Sequence, residues 1–124
     1  MLHPSRPLAT LLSCLALVCG GAVAAHTHLK TSVPAAGASL ADAPTEIRLQ
    51  FHDAIETSLS HVSVETNTGE PVPAGPAASD AGDKTLLVLR LLQPLKPGVY
   101  KVTWRVIAAD THKMRGSFNF HVRP

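Results

Sequence analysis

Cysteine is nearly missing from this chain: among 124 residues only Cys14 and Cys19 carry a thiol, and both precede the body of the sequence. Behind them neither a disulfide framework nor a thiolate metal site can form, so apolar burial must hold the fold. Methionine is equally scarce, with Met114 the sole one after the initiator, which leaves no basis for a soft, thioether-rich site. One Trp, one Tyr and three Phe are too few for the flat aromatic surface that a polysaccharide would need. An excess of one charge is lacking too. Eleven basic residues face nine acidic ones, spread along the sequence rather than clustered, which argues against nucleic acid as a partner. No helical segment of useful length survives between the prolines and glycines that punctuate the chain.

One apolar run is present, at residues 8–18, and it is too short to span a bilayer permanently. With a single positive charge before it at Arg6 and the small residues Val23-Ala24-Ala25 after it, it reads as an export signal. Cleavage after Ala25 makes residues 1–25 a signal peptide and leaves 26–124 as one domain without a membrane anchor, beginning at His26. Cleavage after Ala24, or lipid attachment at Leu11-Leu12-Ser13-Cys14, would compete. Cys14 has too short an apolar segment ahead of it, and Val18 poorly suits the position before Cys19. The exported length suits one modest core and has no room for a second domain.

Periodicity in that domain is two. Tyr100, Val102, Trp104 and Val106 share one face of a strand, with Lys101, Thr103 and Arg105 on the other. The last segment repeats this, with Met114, Gly116, Phe118, Phe120 and Val122 facing one way; that alternation reads Met114 as core rather than as a ligand. Ile47, Leu49 and Phe51 mark an earlier strand, residues 61–66 and 85–91 add two more, and residues 29–33 open the sheet. A weak seventh strand falls near residues 70–73. About seven short strands at such spacing predict an all-β sandwich or barrel. Pro97-Gly98-Val99-Tyr100 adds a Greek-key cue, since it resembles a tyrosine corner, against which the plain alternative is a core tyrosine.

Strand parity connects the two ends of the chain. In a seven-stranded sandwich of antiparallel neighbours, the start of the chain and the loop before the last strand, residues 108–113, lie at the same end. His26 can therefore meet Asp110 and His112, which two-residue spacing in extended chain points to one side. A terminal histidine offers its amine and its ring nitrogen to one ion, His112 a third nitrogen and Asp110 an oxygen. Three nitrogens and one oxygen in a tetragonal arrangement favour copper(II), one ion per chain, over the tetrahedral preference of zinc. His28 supports a rival arrangement, built from the amine, two deprotonated amides and its own ring at the third position; otherwise it is a neighbour that orients Asp110. His52, His61 and His121 read as surface histidines, and Asp53 and Glu56 as solvated loop acids.

These residues in this order resemble the CopC family of small periplasmic copper-binding proteins. The resemblance rests on His26-Thr27-His28-Leu29-Lys30, Pro34-Ala35-Ala36-Gly37, Leu49-Gln50-Phe51, the strand from Pro97 through Val106, and Asp110-Thr111-His112. It implies an immunoglobulin-like Greek-key sandwich, copper(II) at His26, Asp110 and His112, a non-enzymatic role in copper resistance or uptake, and a CopD-type inner-membrane partner. The methionine-rich copper(I) loop of some members has no counterpart in residues 66–83, so the copper(II)-only branch is the one resembled. Two other classes compete: a copper monooxygenase with a histidine brace, and a metal-free structural or adhesion module.

Overall fold

The computed structural model describes residues 29–124. The export signal, its cleavage site, His26 and His28 lie outside the described residues. Eight strands follow in order: β1 (Leu29–Val33), β2 (Ser39–Leu40), β3 (Glu46–Phe51), β4 (His61–Thr66), β5 (Ala78–Asp80), β6 (Asp83–Arg90), β7 (Gly98–Ile107) and β8 (Lys113–Val122). The helical content of the described residues is one 3-10 turn, Thr57–Leu59. The strands form two four-stranded sheets, ordered β1-β3-β6-β5 and β2-β8-β7-β4. The period-two pattern left a sandwich or a barrel open, and the two sheets make it the all-β, immunoglobulin-like Greek-key sandwich that the family resemblance implies.

The core lies between the sheets and is filled by the alternate residues that the pattern selects. Ile47, Leu49, Phe51, Leu87 and Leu89 from one sheet meet Val62, Val64, Val102, Trp104, Val106, Phe118 and Phe120 from the other, all buried. Trp104 is the hub: Phe51 meets its ring edge-on at 6.4 Å between centroids, and Phe118 lies at 5.9 Å. Opposite Trp104 in the β7–β8 register stands Gly116. A Cβ there would lie 2.3 Å from the indole, so the absence of a side chain is what admits the ring. Met114 is buried in the same core.

Tyr100 settles the choice between a tyrosine corner and a plain core residue. Its ring stacks on Phe120 at 5.5 Å while its hydroxyl donates to the Lys96 carbonyl at 2.6 Å. The bond ties the start of β7 to the loop before it, as the corner requires.

Two expectations change. Residues 70–73 are not a strand: Thr66 donates to the Glu70 carbonyl and Val72 to that of Val64, each at 2.8 Å, and pairing stops at one bridge, Glu65 with Pro71. Pro71, Pro73 and Pro76 have no N–H to continue a ladder. The return across the molecule is made instead by β5, which pairs antiparallel with β6. The additional strand β2 is two residues long and parallel to β8, so it adds no crossing, and the odd number of crossings survives.

Candidate metal centre

The β1–β3 pairing matches Leu29 with Phe51 and Thr31 with Gln50, so Lys30 is an extra residue in a bulge at the very start of β1. Bulges bend a strand and re-aim what precedes it. Beyond Phe51 the chain passes directly under the last hairpin. Ile55 bridges Ala108, the Ala109 amide donates to the Ala54 carbonyl at 2.8 Å, and the Glu56 amide donates to the Ile107 carbonyl at 2.8 Å. The first described residue of β1 and the β7–β8 bend therefore occupy the same end of the sandwich.

The bend itself is a three-residue hairpin loop. Ala108 donates to the His112 carbonyl at 2.9 Å and accepts from the Thr111 amide at 2.8 Å, while Thr111 has φ of +74°. A turn followed by a left-handed residue is a common way to close such a loop, and glycine is the usual occupant of that last position. Here threonine takes it, a β-branched residue that pays for the left-handed region in steric crowding. The Asp110 carboxylate accepts the His112 amide through Oδ1 at 3.0 Å, which holds carboxylate and histidine together on the exposed bend.

What ties these two residues thus differs from the expected link. Residues 110–112 are a turn and not extended chain, so the Asp110 carboxylate is held to the His112 backbone amide across Thr111, and strand alternation does not relate the two side chains. Asp53 and Glu56 do reach this end, being exposed on the segment that bonds to the hairpin. Among the described residues, however, no group of three or more histidine, cysteine or acidic side chains is close enough to hold a metal. His52 and His61 are exposed, as expected of surface histidines, whereas His121 is partly buried.

One polar cluster at this end escaped the reading of the sequence. The Asp83 Oδ1 accepts the Thr85 amide at 2.9 Å and the Thr85 hydroxyl at 2.5 Å, and Gln50 Nε2 donates in turn to the Thr85 hydroxyl oxygen. The Thr85 hydroxyl and then its amide hold the Asp83 carboxyl below its ordinary value of 3.8; desolvation opposes them, and Gln50 and the charge of Lys30 add smaller lowering effects. The group braces β3 and β6 beside the bulge of β1. An aspartate two residues before a threonine at a strand start is the signal that marks such a turn.

Comparison with known proteins agrees with this fold. The CopC domain model matches residues 29–123. Protein YobA of Escherichia coli K12 is 36% identical over 99 residues, covering 80% of each chain. The crystal structure of CopC from Methylosinus trichosporium OB3b superposes with a TM-score of 0.73 at 31% identity, covering 78% of this chain and 93% of that one. That of PcoC, a methionine-rich copper resistance protein from Escherichia coli, superposes with a TM-score of 0.70 at 32% identity over 77% and 97%. With the family model spanning the whole sandwich, the chain belongs to the CopC family.

Proposed function

We propose that this protein is a periplasmic copper(II) carrier or buffer that serves copper resistance or uptake. In this reading residues 1–25 are removed on export, and one ion is held by His26, Asp110 and His112. The observation that carries it is the shared pole: Leu29 pairs with Phe51, and three residues further on Ala54 accepts from Ala109 in the hairpin. His26 stands three residues ahead of Leu29, a span of roughly 10 Å in extended chain. The donor set supports cupric ion, because nitrogen and carboxylate oxygen without sulfur suit copper(II). A relative of this fold is itself a copper resistance protein.

A solvent-facing bend suits an ion that is passed on, and Asp110 and His112 are both exposed. Delivery to a CopD-type inner-membrane protein fits that role, and no helix of the described residues is long and apolar enough to cross a membrane. The test is a desalting experiment on chain beginning at His26 after incubation with copper(II). One retained equivalent per chain, lost on Asp110→Ala or His112→Ala, supports the reading, and failure to retain copper returns the fold to a metal-free module.

A further inference from the structure

The cations that lie apart in the sequence are gathered by strand register. On the outer face of the β4-β7-β8 sheet, His61 stands opposite Arg105 and Arg105 opposite Arg115. This makes one row of three basic side chains across three strands, all exposed. Adjacent strands lie about 5 Å apart, and like charges directly opposite one another destabilise a sheet. Lys113 follows one row nearer the bend, opposite Ile107. Among the described residues none of Arg105, Lys113 or Arg115 lies within ion-pair distance of a carboxylate, whereas on the other sheet Arg48 is paired with Glu46 at 3.0 Å. The near balance of charge over the whole chain thus conceals one basic, unpaired row at the bend end of this face.

Beside this row opens a groove of about 440 Å³, lined by Leu59 and Ile107 together with Arg105, Lys113 and Arg115. Leu59 is 64% exposed, although it is a large apolar residue at the groove's edge. Cations around an apolar recess complement carboxylates flanking an apolar side chain. A polyanion or a lipid headgroup would satisfy the charges and leave the recess unfilled.

We infer that the outer face of β7 and β8 at the bend, centred on Arg105, Arg115 and Lys113 with Leu59 beside them, is a docking surface for an acidic protein segment that also offers an apolar side chain. The hairpin that carries this surface also carries Asp110 and His112, so a partner seated there lies beside the proposed copper ligands. The inference stands on charge and register and does not require copper to bind.

The test titrates the isotopically labelled, copper-free chain with a synthetic peptide alternating glutamate and leucine, followed by NMR. A glutamine-for-glutamate peptide, phosphatidylglycerol vesicles and single-stranded DNA are run in parallel. Shifts centred on Arg105, Lys113 and Arg115, and binding weakened about tenfold or more by Arg105→Gln with Arg115→Gln, support the surface. The double variant should be no less stable than the parent, since it removes a repulsive pair, which separates lost docking from lost folding. His112→Ala should leave peptide binding intact, so failure of the copper reading and failure of this one are seen separately. Equal binding of the glutamine peptide, shifts centred on Arg48 and Arg90, or tighter binding of vesicles or DNA than of the peptide would overturn it.

Discussion

The backbone amide of Ala109 donates to the carbonyl of Ala54 at 2.8 Å, and that bond joins the two sheets at the end where β1 begins. It fastens the β7–β8 bend to the segment leaving β3, and β3 in turn is the strand that β1 pairs with. The position of Leu29, the first described residue, relative to Asp110 and His112 is therefore set by backbone hydrogen bonding, whose geometry substitutions on the bend leave largely intact.

Thr111 pays for the shape of the bend. At φ of +74° glycine would relieve the crowding while adding backbone freedom to the unfolded chain, so Thr111→Gly should raise stability by at most about 1 kcal/mol. Denaturant unfolding of the two proteins checks this. The same change loosens the bend, and copper(II) should dissociate faster from the variant in a chelator-competition experiment.

Gly116→Ala should destabilise the sandwich by about 1–3 kcal/mol, as overpacking does in a filled core. The new Cβ would lie 2.3 Å from the Trp104 ring, and the indole has Phe51 and Phe118 against it, so it cannot withdraw freely. Trp104 fluorescence during urea unfolding measures both the loss and any shift of the ring. An alanine variant as stable as the parent would mean that the close approach is not what requires glycine.

Asp83 gives stability a sign against pH. Its folded pKa lies below the ordinary 3.8 because Thr85 donates to its charged form. Its contribution is therefore fully present above the ordinary value and is lost as pH falls through the lower folded value. Asp83→Asn should be less stable than the parent at neutral pH, and the difference should shrink as pH falls below 3.8. Paired melts at neutral and strongly acid pH read it, and a pH-independent difference would assign the effect to lost packing.

His112 and His121 separate the proposed ligand from a bystander. His112 shares the bend with Asp110, whose carboxylate holds its amide, while His121 lies toward the opposite end of β8, paired with Val99. His112→Ala should weaken copper(II) binding by at least about a hundredfold, a cost of roughly 2.8 kcal/mol, and His121→Ala should leave it within about twofold. Isothermal titration with a competing chelator distinguishes the two, and equal affinities would remove the folded site.

Most of the sandwich was legible because burial on one face writes itself into the sequence as alternation. Tyr100, Val102, Trp104 and Val106 marked β7, and Pro97-Gly98 announced the corner that Tyr100 makes. What alternation does not carry stayed hidden. The two residues of β2 are too short to show a period, and the three of β5 follow a proline-rich stretch that obscured them. Cross-strand neighbours such as Arg105 and Arg115 are ten positions apart in sequence and meet only once register is known. The loop at residues 108–113 was placed but its shape was not, for a different reason: a left-handed position is ordinarily announced by glycine or asparagine, and here it is filled by Thr111.

The central claim is that a nitrogen pair at a terminus beginning with His26 completes a site whose other half is the β7–β8 bend. Copper(II) titration of two purified chains tests it directly, one starting at His26 and one with a single alanine ahead of it, each verified by mass spectrometry. The account predicts one tightly held ion on the first chain and at least about a hundredfold weaker binding on the second, with the apo-protein fold unchanged. Equal affinity in the two chains would contradict it.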